Sequence, residues 1–164
     1  PDPAYYLYEL TMDGRSQTGI VACCAVDDYI NGVIKKHENT REDKEQDRIR
    51  HVDATNAHTG PIFLAYRRQE ELKRLVEQAK KEKALYDFVS EDGIRHRVWK
   101  IGDPGMVKAV EEVFEKLPAA YIADGHHRAA SASRRDLKDG RKNRTTREKS
   151  PLTIFCLFCS PMMS

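Results

Sequence analysis

The run Ala119-Ala-Tyr-Ile-Ala123, followed without a spacer by Asp124-Gly125-His126-His127-Arg128, constrains the fold of this chain more than any other stretch. A continuous small and apolar run of this length reads as a buried strand. The alanine-rich segment from Ala129 to about Leu137 reads as a helix. The chain must therefore pass from strand to helix within a residue or two. Gly125 permits that sharp turn and a close approach of other groups to the backbone. A helix starting there presents unpaired N–H groups and the positive end of its dipole, which together favour phosphate or carboxylate. His126, His127 and Arg128 add side-chain donors, and a guanidinium suits bidentate contact with phosphate oxygens. Asp124 is the one acceptor of the group, available to a substrate hydroxyl, a metal or a neighbouring histidine. The plainer alternative is that Asp124 caps the helix and the histidines lie at the surface. Against it, two histidines and an arginine crowd one first turn, although histidine is only a middling helix former.

The rest of the chain mixes hairpins with helices. Tyr5 to Met12 and Thr18 to Val26 read as strands, with Asp13-Gly14 as the turn between them. The polar segment from about Arg41 to His58 reads as a helix, with Thr40 as its cap and Asp43 as a weak capping-box partner. Pro61 to Tyr66 reads as a buried strand, and Leu72, Leu75, Val76 and Ala79 mark one stripe of an amphipathic helix. Leu85 to Val89 and Ile94 to Ile101 flank Glu91-Asp92-Gly93, a second hairpin. Asp103-Pro104 opens a helix as cap and first-turn proline, with Met106, Val110, Val113, Phe114 and Leu117 as its core face. This order of elements predicts an α+β protein, a mixed α/β arrangement of hairpins and helices around a mixed sheet rather than a doubly wound parallel one.

A chain of 164 residues suits one domain, expected to span 1–143. The 28 basic and 26 acidic residues nearly cancel, leaving a formal charge of +2, so a protein that coats nucleic acid is not expected. No segment reaches the roughly 18–20 apolar residues of a membrane span, and nothing marks export, so the expected location is the cytoplasm. Because it begins with Pro1, the chain is expected to be a piece of a longer protein. Cys23-Cys24 sits in an apolar run and reads as buried, reduced thiols. Cys156-x-x-Cys159 has the spacing of half a zinc site, but without a second such pair it reads as part of an apolar strand, and no metal-ligand set is assigned.

A second group of candidates lies on the polar helix, where Lys44, Arg48, His51, Thr55 and His58 repeat at helical spacing. That stripe either lines an anionic pocket or is an ordinary solvated face. Just before it, His37 and Glu38 offer an acid–base pair.

These segments resemble the bacterial and archaeal family called domain of unknown function 1015. The likeness is carried by Gly32-Val-Ile-Lys-Lys-His-Glu-Asn-Thr-Arg41, by Glu42 to Arg48, by Thr59-Gly-Pro-Ile-Phe63, and by Tyr121 to Arg128 with Ala129-Ala130 behind it. Members of that family are longer, so the resemblance implies a middle segment. A looser second likeness joins the Asp-Gly-His-His-Arg turn to the phosphate-binding turn of the ParB and sulfiredoxin superfamily, which includes free-serine kinases. It implies that Gly125 to Arg128 hold phosphates of ATP or ADP, with Mg2+ bridging them, and that Asp124 sits beside a substrate hydroxyl. Glu38 is then a candidate second carboxylate, without an aligned counterpart in those kinases. Sulfiredoxin needs a cysteine where this chain has His126 or His127, which argues against sulfinic-acid reduction.

The expectation from residues and resemblance together is a phosphate- or nucleotide-binding protein taking a small-molecule substrate. It would act as a phosphotransferase or phosphohydrolase on a hydroxy-amino acid such as serine. The alternative is a ParB-like nucleotide-binding regulatory module without turnover, which leaves open whether the chain is an enzyme. The tail carries a separate expectation. Read from the third base of each codon, Thr145 to Ser164 can spell a polar loop and then a strand like those the family places after this helix, so 144–164 is expected to be a frameshifted, non-native end. The coding DNA tests this: a native reading frame continuing past Ser164 for many codons contradicts it.

Overall fold

A computed structural model describes residues 2–38, 40–55, 60–143 and 153–159, with side chains described up to Arg134. In chain order the elements are β1 (Tyr5–Met12), β2 (Arg15–Ala25), α1 (Val26–Ile30), β3 (Ile34–Lys35), α2 (Glu42–Thr55), β4 (Ile62–Tyr66) and α3 (Glu70–Ala79). There follow β5 (Tyr86–Val89), β6 (Arg95–Ile101), α4 (Pro104–Glu115), β7 (Ala120–Asp124), α5 (His126–Asn143) and β8 (Thr153–Cys159). Antiparallel pairing of β1 with β2 and β6, and parallel pairing of β3 with β7, make this an α+β fold with mixed strand directions, as its hairpin-and-helix pattern predicts. Contacts divide the chain into two compact units, one built on Pro1–Ala22 and Tyr66–Pro118, the other on Cys23–Ala65 and Ala119–Leu157.

The first unit carries strands in the order β2-β1-β6-β5. Asp13 and Gly14 both take positive φ, 50° and 74°, with Met12 paired to Arg15. That is the two-residue primed turn whose twist matches flanking strands. Leu7, Trp99 and Ile101 are buried from the sheet, with Leu72 and Ala79 from α3 and Val107, Val110 and Val113 from α4. Asp103 caps α4 as expected, its carboxylate accepting from the Met106 amide at 2.9 Å. The buried face runs along Val107, Val110 and Val113, however, while Met106, Phe114 and Leu117 are half-buried. A helical stripe fixes the side that faces inward, but the partner surface decides which residue at its margin is covered.

Among the described residues of this unit, Glu9 is the one buried charged residue, at 1% exposure. It lies on β1 opposite Thr18 on one neighbour and Arg97 on the other. Its carboxylate accepts from Thr18 Oγ1 at 2.6 Å, pairs with Lys80 Nζ at 2.6 Å, and pairs with the Arg97 guanidinium. Lys80 and Arg97 both stand over the Trp99 ring, 5.9 and 5.2 Å from its centroid. The lysine is delivered by the last turn of α3, so the ionic cluster ties that helix to the sheet.

The second unit carries β3-β7-β4-β8. Its core is Ile34, Ile62, Leu64 and Ile122 from strands, Ile49 and Val52 from α2, and Ala129, Ala130 and Ala132 from α5. Alanines on α5 let the helix lie close to the strands. The short β3 and α1 were not legible as elements, being two and five residues long. Cys24 is buried, but Cys23 is exposed, because successive residues of β2 face opposite sides. Thr40 does not cap α2 in the expected way. Its hydroxyl donates to the Glu45 carboxylate, while Asp43 pairs with Arg41 at 2.9 Å. Glu45, 2% exposed, also pairs with Arg134 Nε at 2.5 Å, joining α2 to α5. Of the tail, 144–152 and 160–164 lie outside the described residues, and the backbone of 153–159 is strand β8.

Burial alone would raise the Glu9 pKa, but hydrogen bonds from Lys80 and Thr18 and the charges of Lys80 and Arg97 outweigh it and hold the group below its ordinary 4.5. A carboxyl depressed in the folded state stabilises fully above its unfolded pKa and loses that contribution as pH falls through the folded value. Glu9→Gln should therefore cost about 2–3 kcal/mol at neutral pH. The cost should vanish progressively below pH 4.5, read from denaturation midpoints of both proteins. A gap that stays constant down to pH 2–3 contradicts the assignment (roughly two units below the carboxylate range).

Candidate functional site

The second unit brings three segments to one end of its strands. Strands β3 and β7 are parallel neighbours, Ile34 opposite Ala120 and Lys35 opposite Tyr121, so both chains leave the sheet at the same edge. Ligand crevices in open sheets form outside such carboxyl ends. His37 and Glu38 follow β3 there, and Asp124 ends β7 beside them. Arg48 arrives on α2, one turn beyond the Glu45 anchor.

Gly125 makes the turn between β7 and α5 with φ at +91°. A Cβ built there would lie 2.9 Å from Ile62 Cγ2 and 3.3 Å from the Ile62 Cα on β4. Two independent constraints, handedness and space, thus require glycine. Its carbonyl accepts from the amides of Arg128 at 2.9 Å and Ala129 at 3.0 Å, closing the first helical turn. The amides at the start of that turn have no acceptor within the helix and point out of the strand end.

Glu38, Arg48, Asp124, Gly125, His126, His127 and Arg128 line a cleft of about 290 Å³. Lys44 and His51 share the helix face of Arg48 in sequence, yet both are exposed and neither lines the cleft. His58 lies outside the described residues. Arg128 holds a structural bond as well, its Nη1 donating to the Pro61 carbonyl while the guanidinium covers Gly60. It pins the entry to β4 and leaves its remaining N–H groups for the cleft.

His126 is 8% exposed, whereas Asp124, Glu38 and His37 are exposed. Its Nδ1 lies 3.8 Å from Glu38 Oε2, and the His37 ring stands edge-on at 4.6 Å between centroids. Burial first, then the charge of His37, push the His126 imidazole below its ordinary 6.5, against the opposing pull of Glu38 and Asp124. His126 Nε2 and His127 Nδ1 are buried without a hydrogen-bond partner among the described residues. Such atoms are uncommon in folded proteins and mark places where a ligand, ion or water belongs. Sequence reading paired His37 with Glu38 as acid and base. The approach of His126 to that pair was not legible, because it depends on β3 and β7 being neighbours.

Fold and site together define a mixed α+β protein with a strand–turn–helix cleft rich in cationic and imidazole groups. Residues 1–164 match the model of the family described as Protein of unknown function (DUF1015), and the chain belongs to that family. No curated protein and no solved structure matches it. No helix among the described residues is long and apolar enough to cross a membrane.

Gly125→Ala should lower stability by about 2–4 kcal/mol, since the substitution adds a left-handed strain and an overpacked contact with Ile62. Chemical denaturation measures it. A variant as stable as the parent would show that the turn does not depend on glycine.

Proposed function

We propose that the cleft binds a phosphate group and that the protein is a small-molecule phosphotransferase or phosphohydrolase, acting on a hydroxylated metabolite such as a hydroxy-amino acid. The observation that carries this reading is the Gly125 turn, which opens the free amides of α5 onto a cleft also lined by Arg48, Arg128 and His127. Aligned amides and guanidinium groups are the standard means of holding a dianionic phosphate. Phosphoryl transfer asks a protein mainly for positioning and charge neutralisation, both of which such a cleft supplies.

Size narrows the ligand. At about 290 Å³ the cleft lies at the lower end of small-molecule sites, which suits a phosphorylated metabolite or the terminal phosphates of ATP or ADP rather than a whole buried nucleotide. Exposed Asp124 stands beside the phosphate-binding turn, where it would accept the proton of a substrate hydroxyl. A nucleotide would bring Mg2+ on its phosphates. The looser likeness of the Asp-Gly-His-His-Arg turn to free-serine kinases supports the same assignment and makes serine and phosphoserine the first compounds to try.

Isothermal titration with phosphoserine, ATP and ADP tests it. At least one should bind, and Arg48→Ala should weaken that binding roughly tenfold or more, the worth of one charge-assisted contact. Lys44→Ala, on the same helix outside the cleft, should leave it unchanged. No binding by any of the three, or equal binding by Arg48→Ala, removes the assignment.

A further inference from the structure

We infer that His37, Glu38 and His126 form a binding site for a divalent first-row transition ion at the rim of the cleft. Each of the three offers one ligand atom, and these atoms all lie within 4.8 Å of one another. Two imidazoles and one carboxylate are a complete protein ligand set for an ion that keeps further positions open. The observation beside that cluster is the His126 side chain itself, only 8% exposed, with Nδ1 facing Glu38 Oε2 at 3.8 Å, beyond hydrogen-bond reach. Coordination through that nitrogen would give the buried imidazole a partner it lacks among the described residues.

The topology explains how His37 and Glu38 converge with His126, which lies 89 and 88 positions further along the chain. Parallel pairing of β3 and β7 ends both strands at one edge, so the segment after β3 meets the first turn of α5. Only His126 is fixed by burial; His37 and Glu38 are exposed. Two atoms bound to one zinc at ~2.1 Å can be at most ~4.2 Å apart, so the set must close by roughly an ångström, which two exposed side chains can do by rotating about their χ angles. The nitrogen ligands favour zinc, with cobalt as its spectroscopic substitute, over magnesium and calcium, which prefer all-oxygen shells. Open positions on such an ion would face the groove lined by Arg48, Asp124 and His127. An ion there would act as a Lewis acid toward an oxygen in the cleft. The metal site stands whether or not the cleft accepts phosphate, because the ion alone is the probe.

The test uses the full chain freed of metal with a chelator and titrated with Zn2+ by calorimetry and with Co2+ by visible absorption. One equivalent of each should bind. His37→Ala and Glu38→Gln, both at exposed positions, should each weaken binding roughly tenfold or more with unchanged circular dichroism and melting. His51→Ala, an imidazole outside the cluster, should bind as the parent does. Absence of stoichiometric binding overturns the inference, as does equal affinity in the His37 and Glu38 variants. A thiolate-to-cobalt charge-transfer band would place the ion on cysteine and overturn it too.

Discussion

The close packing of Gly125 against Ile62 is the contact on which the cleft end of the second unit depends. With the backbone of β4 3.3 Å from where a side chain would begin, β7 can run straight into α5 without a loop. A longer connection would let the first helical turn drift, and a few tenths of an ångström matter when amides must converge on one ligand. His126, the first residue after that turn, is buried to 8% exposure. Ala129, Ala130 and Ala132 continue the same close approach along α5.

Two further ties keep the cleft walls in register. The pair of buried Glu45 with half-exposed Arg134 holds α2 on α5, and Arg48 follows one turn later on the cleft side. Arg128 is anchored to the Pro61 carbonyl, linking the helix to the strand that supplies Ile62. A buried carboxylate paired with a guanidinium adds little net stability compared with apolar packing, but it resists sliding because either partner left alone is heavily penalised.

In the first unit the same device appears with a different result. Glu9 is enclosed by Thr18, Lys80 and Arg97 over the Trp99 ring and lines no cleft, so its chemistry is that of a fastener between α3 and the sheet. The contrast with His126 is instructive. Glu9 is surrounded by donors and stays charged below the ordinary carboxylate range, whereas His126 lacks a partner for Nε2 and is pushed toward neutrality.

Local chemistry settled much of this protein in advance of any packing. Asp13-Gly14 dictated the first hairpin because both residues tolerate positive φ, and Asp103-Pro104 dictated the start of α4. The direct abutment of Ala119–Ala123 on Asp124-Gly125 marked the cleft, since few sequences can turn from strand to helix so abruptly. Periodicity alone could not choose between Lys44, Arg48 and His51, which lie on one helical face; only the placement of α2 against α5 brought Arg48 to the cleft and left the others in solvent. It misjudged Thr40, whose hydroxyl is drawn to Glu45, a residue buried only because the two helices meet. The meeting of His37 and Glu38 with His126 lay beyond any local signal, because it follows from a two-residue strand pairing in parallel with β7, and such pairing is decided by long-range hydrogen bonds and core packing rather than by neighbouring residues.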